Sequence, residues 1–362
     1  MKVLFTIPCL SYGGAEKNMV LVANYLSQKG HSIAICSFNE EPKKQQLHPD
    51  IRCYDMPVQP MGKGRFAWVG VRKRQYAFLE QTCKKEQPDV ILSFLPISNA
   101  LAVLCGKKMH IPVVVSERAD PYQAISKLDR LMHALYNRAD GAVFQTEGAK
   151  KFYAPRLQKK SAVIPNPVIL KEQDISYDLL VCKPQIAFVG RFELKQKRQD
   201  IMLRAMRKVI EKHPQYTLVF YGDGPDKPAM QDFAAKLGIA QSVVFAGVST
   251  QVLKDISQSE IFAMTSDYEG IPNVLIEAMS IGMPCVATDC SPGGARLLLR
   301  GGEDGMLVPC GDVEAIVSAI NTLIEDKSLA ADYGKKAKGI IDRFNYDTIM
   351  EKWESYLLQF QR

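Results

Sequence analysis

The chain has 362 residues, 47% hydrophobic and 23% charged, with a net charge of +7. That length exceeds one ordinary core and predicts two domains, and the composition excludes a disordered or low-complexity chain. Nine cysteines, odd in number and without a CxxC pair, exclude a disulfide framework and a zinc site and fit a reducing compartment.

The opening MKVLFTIPCL has no small-x-small cleavage site and runs into a helix start, so it is expected to be a buried first strand rather than a signal peptide. The most apolar stretch, Val90 to Gly106, is broken by Ser93, Pro96, Ser98 and Asn99 and is too short and polar to span a bilayer. Charge is uneven: +10 over residues 1–175 and −3 over residues 176–362. The basic half favours an anionic partner, a membrane surface or a diphosphate. Nucleic acid is not expected, because no recognition motif is present.

Apolar β-branched runs alternate with helical-period segments. Strands are predicted at Val3–Ile7, Ser32–Ser37, Val90–Phe94, Val113–Ser116 and Gly141–Gln145, with helices between them such as Ala15–Lys29 and Ile125–Asn137. The second half repeats the theme with strands at Gln185–Val189, Thr217–Tyr221, Val243–Ala246, Ile261–Met264 and Pro284–Ala287. This alternation predicts an α/β protein with parallel sheets covered on both faces. The period fails over 167–184, which is expected to be the linker between a domain 1–168 and a domain 169–345. Three helices are predicted at 312–325, 329–343 and 346–361; the last is amphipathic and either docks on its own domain or crosses back to the first. Ligands in such sheets bind at the carboxyl ends of strands, and a cleft between two such domains is the expected active site.

Several motifs fall at those positions. Ser11–Glu16, SYGGAE, follows the first strand; Gly13 and Gly14 allow a sharp turn, and the helix beyond offers N–H groups to an anion. A tight turn alone explains it equally well, and the absence of GxGxxG excludes a nicotinamide site. Val189–Asp200 carries Arg191 and Lys197 at a strand end, a guanidinium and an ammonium able to neutralise a leaving diphosphate. Lys195 and Arg198 add positive charge; a solvated basic loop is the alternative. Tyr221–Pro225, YGDGP, reads as a turn.

In EGIPNVLIEAMSIGMPCVAT, Glu269 to Thr288, Pro272 opens a helix that Asn273 is expected to cap. Val274, Leu275, Ile276, Ala278, Met279 and Ile281 make that helix apolar nearly all round, so Glu277 is expected to be buried and Glu269 to stand in the turn before it. Two carboxylates beside the N–H groups of Asn273, Val274 and Leu275 suit a nucleotide sugar: hydroxyls donate to the carboxylates while phosphate accepts from the helix.

With these motifs in view the chain resembles the retaining glycosyltransferases of family 4, which have the GT-B fold of two Rossmann-like domains facing across a cleft. The matches run in order along nearly the whole length: the Gly-Gly loop, IPNP at 164–167, GRF and a lysine at 190–197, GDGP, the Glu-x7-Glu block with its GxP tail, and DGMLVP at 304–309. The Glu-x7-Glu block is specific; the Gly-Gly loop is weak. The resemblance implies a sugar nucleotide donor, expected to be a UDP-sugar, no cofactor or metal, and retention at the anomeric carbon. It implies that Arg191 and Lys197 bind the diphosphate, Glu277 the ribose and Glu269 the sugar. Gly14 and the amides near Val274–Leu275 would meet phosphate and sugar, with Gly13, Gly270, Ile271, Pro272 and Asn273 completing the donor site and Val248 near the base. The absence of any Asp-x-Asp agrees with metal independence.

Two departures stand out. Where many relatives have a histidine, Val113–Pro121 has Glu117 and Arg118, a Ser-Glu-Arg pattern resembling a polysaccharide and glycolipid subset that uses acetamido sugars. Glu117 is expected either to orient the acceptor hydroxyl or stabilise an oxocarbenium-like centre, or to pair with Arg118, and Arg118 is expected on the acceptor and membrane side. Leu297 stands where relatives often have glutamate, which puts donor contacts from that loop in doubt. Finally, Met61–Gln75 mixes Lys63, Arg65, Arg72, Lys73 and Arg74 with Phe66, Trp68 and Val69, a composition suited to an anionic membrane interface or a lipid diphosphate, with an inward-packed surface helix as the alternative.

The expected function is transfer of an N-acetylhexosamine or hexose from a UDP-sugar to a lipid-linked or polysaccharide acceptor at the cytoplasmic membrane face. A UDP-sugar epimerase or glycogen-synthase-like polymerase of the same fold is the alternative, weakened because none of the five histidines falls in a motif. A non-catalytic partner subunit would not need Arg191, Lys197, Glu269 and Glu277 together.

Overall fold

The computed structural model describes residues 1–362 except 11–12, 40–45, 58–66, 124–125, 170–174, 176 and 362. The chain divides into two units: Met1–Asn166 with Asp347–Arg362, and Pro167–Tyr346. The expected boundary at 168 lies two residues late, because Val168 N–H already donates to Phe344 O (2.8 Å) of the second unit.

The first unit holds seven strands: β1 (Lys2–Ile7), β2 (Ser32–Ser37), β3 (Arg52–Asp55), β4 (Val90–Phe94), β5 (Val113–Ser116), β6 (Gly141–Phe144) and β7 (Ser161–Val163). Their order is β3-β2-β1-β4-β5-β6-β7, all parallel. The β1 residues Val3–Ile7 are buried, as the reading of MKVLFTIPCL requires. Strands β3 and β7 escape the sequence pattern because they are short outer strands whose residues are mostly half-exposed.

The second unit holds β8 (Lys183–Val189), β9 (Thr217–Tyr221), β10 (Val243–Gly247), β11 (Ser259–Met264), β12 (Cys285–Thr288) and β13 (Met306–Val308), ordered β10-β9-β8-β11-β12-β13 and again all parallel. Strand β8 begins inside the expected linker, at Lys183. Each unit therefore reverses its strand order once, at β1/β4 and at β8/β11. In an open parallel sheet that reversal leaves a crevice at the carboxyl ends of the two strands, where ligands bind.

Helix starts follow local chemistry. Ser126 accepts from Asp129 N–H (3.1 Å) while Asp129 accepts from Ser126 N–H (3.1 Å), a capping box that opens Lys127–Tyr136. Asp312 and Asp326 cap Val313–Glu325 and Lys327–Ala337. The single helix expected over 329–343 is two, Lys327–Ala337 and Ile340–Arg343. The last helix, Tyr346–Leu358, crosses back to the first unit: Trp353 is fully buried and stacks on Phe94 (6.0 Å), and Tyr356 Oη accepts from Ala142 N–H (2.9 Å). His31 Nε2 also meets Glu354 Oε1 at 2.8 Å.

Candidate active site

In the second unit the crevice lies between the loops that follow β8 and β11. The first carries Arg191, Lys195, Lys197 and Arg198; the second carries Ser266, Asp267, Glu269 and Gly270. Lys197 Nζ forms an ion pair with Glu269 Oε1. Ser266 Oγ donates to the same oxygen (2.8 Å), and Gln196 Nε2 donates to Tyr268 O (3.2 Å). Asp267 N–H donates to Gln196 O (2.8 Å). The two loops are thus stitched side chain to side chain and backbone to backbone.

Glu269 is 7% exposed, whereas Glu277 is only half-buried. This reverses the sequence expectation. The helix Asn273–Ser280 is buried through Leu275, Ile276, Ala278, Met279 and Ser280, and Glu277 falls on the remaining face, four residues after Asn273. Glu269 instead turns inward because Lys197 and Ser266 provide partners there. Asn273 is the first helical residue and not the cap; Pro272 holds the cap position and no side chain caps the helix. Leu275 N–H donates to Pro272 O (3.1 Å), so that amide serves the first turn itself. Ile271 and Pro272 are buried, and Gly282 at φ +87° ends the helix as expected.

Arg198 does not add free positive charge: it pairs with Asp200 (3.1 Å) and Asp267 (2.7 Å). Arg191 is exposed and forms no ion pair with a described carboxylate, while its carbonyl accepts from Gln199 Nε2 (2.8 Å). The chemistry here is two cations in different states, one neutralised and held, one available.

Glycines fix the two loops from behind. Gly222, at φ +140°, lies so close to Gly190 O that a methyl group would collide with it, and its N–H donates to Gly247 O (2.7 Å). The YGDGP segment is therefore a backing for the Gly190–Phe192 loop, reinforced by Phe192 N–H donating to Asp223 O (3.0 Å). Gly294 likewise presses on Gly270 O, and Glu269 N–H donates to Ser291 O (2.9 Å). Val248, directly after β10, is 75% exposed, an apolar surface at the carboxyl end of the sheet. Leu297 is 38% exposed on the short helix Gly294–Leu298.

Gly13, Gly14, Glu117 and Arg118 belong to the first unit. Gly13 has φ −66° and ψ 162°, a conformation open to any residue, so the expected turn freedom is not its reason. A side chain there would meet the carboxylate end of buried Glu16, which would have to shift. The helix Gly14–Gln28 begins there.

Glu117 is 1% exposed. Its Oε1 accepts from Arg118 N–H (3.0 Å) and Ala119 N–H (3.2 Å), and its Oε2 accepts from Tyr153 Oη (2.9 Å) with His133 Nε2 at 3.9 Å. Burial holds its pKa above the ordinary carboxyl value, opposed by His133, Tyr153 and the two amides. Both oxygens serve the fold, so neither expected catalytic role is supported by the geometry, and the expected pair with Arg118 does not form. Arg118 turns the other way, to Asn18 Oδ1, Ile164 O (3.4 Å) and the faces of Trp353 and Phe94.

Sequence reasoning missed Gln196, Ser266, Asp267, Asn18, His133 and Tyr153. Ser266 and Asp267 stand directly after β11 and before Glu269, a visible signal; Asn18, His133 and Tyr153 are brought in by tertiary folding alone. Lys63 and Arg65 lie outside the described residues. Trp68, 45% exposed, and Arg72, Lys73 and Arg74 lie on the helix Ala67–Glu86; none of the three cations pairs with a described carboxylate. Among the described residues no helix is long and apolar enough to cross a membrane.

Two Rossmann-like units, one carrying this loop constellation, define an enzyme of the GT-B class. Residues 12–172 match the model for Glycosyltransferase Family 4 and residues 183–326 that for Glycosyl transferases group 1, and the chain belongs to the GT-B glycosyltransferases. A Campylobacter jejuni protein named as a GalNAc-alpha-(1->4)-GalNAc-alpha-(1->3)-diNAcBac-PP-undecaprenol alpha-1,4-N-acetyl-D-galactosaminyltransferase is 26% identical over 98% of this chain and 97% of its own. A second protein of that organism, an N-acetylgalactosamine-N,N'-diacetylbacillosaminyl-diphospho-undecaprenol 4-alpha-N-acetylgalactosaminyltransferase, is 28% identical over 96% of this chain and 97% of its own. Anabaena HepE with UDP-glucose superposes with a TM-score of 0.82 at 21% identity, covering 99% of this chain and 100% of that one, which places the fold.

Proposed function

We propose that the chain is a retaining, UDP-sugar-dependent glycosyltransferase that moves an N-acetylhexosamine or hexose to a lipid-linked or polysaccharide acceptor. The observation that carries the donor site is the Lys197–Glu269 bridge across the β8/β11 crevice, with Arg191 exposed in the segment that follows β8. A diphosphate entering there meets Arg191 directly and draws on Lys197, whose charge Glu269 already holds in place. The two cations stabilise the leaving diphosphate as its bond to the anomeric carbon breaks. Departure and attack share one face, and the β-phosphate accepts the acceptor's proton, so no carboxylate acts as nucleophile. Glu277 and Asn273, on one helix face, take the ribose side, and Val248 offers an apolar surface to the base. The chemistry needs neither cofactor nor metal: the arginine and lysine supply the positive charge.

The named lipid-diphosphate acceptors of the two Campylobacter relatives support the acceptor class. The basic half and the exposed Trp68 beside Arg72, Lys73 and Arg74 support binding at an anionic cytoplasmic membrane surface. A panel of sugar nucleotides tests the reading. Thermal stabilisation by UDP-N-acetyl sugars that is lost in Glu277→Ala is expected, together with product of retained configuration in the presence of a chelator. Inversion, or dependence on a divalent cation, would overturn the mechanism.

A further inference from the structure

The short helix Leu194–Lys197 ends, and the helix Gln199–Lys212 begins, at a single residue, Arg198. Its backbone stands in the left-handed region, at φ +50° and ψ +46°. A β-carbon is disfavoured there, so a glycine would serve the turn with less strain. Strain kept in a loop of the candidate site points to a use for the side chain. That side chain is engaged through all three nitrogens. Nε and Nη2 fork onto the carboxylate of Asp200 (3.1 and 3.2 Å), and Nη1 donates to Asp267 Oδ2 (2.7 Å). Asp200 lies in the first turn of the helix that Arg198 opens and ties the guanidinium to its own element. Asp267 belongs to the loop after β11, two residues before Glu269.

The Arg198–Asp267 pair therefore runs beside the Lys197–Glu269 pair, joining the same two loops a second time. Backbone bonds hold the same register: Thr265 Oγ1 donates between the carbonyls of Lys197 (3.1 Å) and Arg198 (2.9 Å), and Asp267 N–H donates to Gln196 O (2.8 Å). The Arg191 loop is tied to the junction from the other side. Gln199, fully buried, donates from Nε2 to Arg191 O (2.8 Å). Both candidate donor cations are thus anchored on residues 198 and 199. A diphosphate held between two cations is sensitive to where each stands, and a misplacement of about 1 Å can cost about 100-fold in rate. A monophosphate does not span two cations and is less sensitive.

We propose that Arg198, acting through Asp267, is a positioning residue for the donor: it fixes the Lys197 ammonium relative to the Arg191 loop and so sets the preference of the site for a nucleoside diphosphate over a monophosphate. This rests on the transferase reading above and adds how the site recognises its leaving group.

Calorimetric titration with UDP and with UMP tests it. Arg198→Gly removes the guanidinium and suits the left-handed backbone, so the melting temperature is expected to stay within about 4 °C of the parent's. UDP affinity is expected to fall about tenfold or more, while UMP affinity changes by less than about twofold. Asp267→Asn should reproduce the loss, and the double variant should bind UDP no more weakly than either single one, because the two side chains act as one pair. Arg198→Lys keeps the charge without the fork and should recover part of the affinity. Unchanged UDP affinity in both single variants, or losses that add in the double variant, overturns the proposal. Equal losses for UDP and UMP with a lowered melting temperature overturn it as well and leave Arg198 a clamp on the fold. A parent protein that does not bind UDP overturns the donor reading itself, and the positioning role with it, whereas a parent that binds UDP and variants that bind it equally well count against the positioning role alone.

Discussion

Lys197 and Glu269 are 72 residues apart in the chain and joined as an ion pair across the strand-order reversal of the second sheet. Their side chains are 17% and 9% exposed, so each charge depends on the other. Removing one partner leaves the other charge buried without its counter-ion, Glu269 keeping only neutral donors such as the Ser266 hydroxyl. Lys197→Met and Glu269→Leu should each cost about 3 kcal/mol of stability, and the double variant should recover much of it. Denaturant unfolding of the four proteins measures the coupling. Activity should fail in all three variants, because a restored fold does not restore the charge.

Arg191 gives the opposite pattern. It is exposed and unpaired among the described residues, so Arg191→Ala should change stability by no more than about 0.5 kcal/mol. If it stabilises the leaving diphosphate, kcat should fall about 10²- to 10³-fold. Unchanged kcat with the donor saturating would remove it from the mechanism.

The glycine supports predict loss of donor binding from positions with no reacting group. Gly294→Ala would push on Gly270 O, and Gly222→Ala on Gly190 O at an unfavourable φ of +140°. Each should weaken UDP binding about tenfold or more by displacing the Glu269 or Arg191 loop, read by calorimetry. Gly301→Ala is the control: its φ is also positive, but no atom lies within 4 Å of the added methyl, so strain without displacement should spare the affinity.

Glu117 gives a pH dependence. Its folded-state pKa lies above its ordinary value of 4.5, so the folded protein binds that proton more tightly than the unfolded chain. The stabilisation is complete below the ordinary value and is lost as pH rises through the folded one. Glu117→Gln cannot ionise. Its melting temperature relative to the parent should therefore improve as pH rises from the ordinary carboxyl value through the raised folded one. A constant difference would show that the carboxyl group is not raised.

The architecture was legible because parallel strands buried on both faces leave continuous apolar runs, as in Val90–Phe94 and Val113–Ser116. Strands β3, β7 and β13 were not, because short outer strands such as Arg52–Asp55 and Ser161–Val163 have no such run. Glycine and proline punctuation located the loops after β8 and β11 correctly. The burial of their carboxylates was inverted, since periodicity sees only a residue's own helix. Glu269 is buried by Lys197 and Ser266, one of them from a distant loop, and nothing local encodes that. The partners of Glu117 escaped the sequence for the same reason: His133 and Tyr153 arrive from elsewhere in the first unit.

The return of Tyr346–Leu358 to the first unit makes residues 167–346 an insertion between two parts of one domain. During synthesis the second unit can close as soon as it emerges, whereas the first must wait with Phe94 and Arg118 uncovered until Trp353 is made. Folding order is therefore the reverse of sequence order at this point: the nucleotide-binding candidate forms complete, and the unit that began first is finished last. A chain halted before residue 346 would hold an intact second unit and a first unit lacking the ring against which its buried arginine stacks.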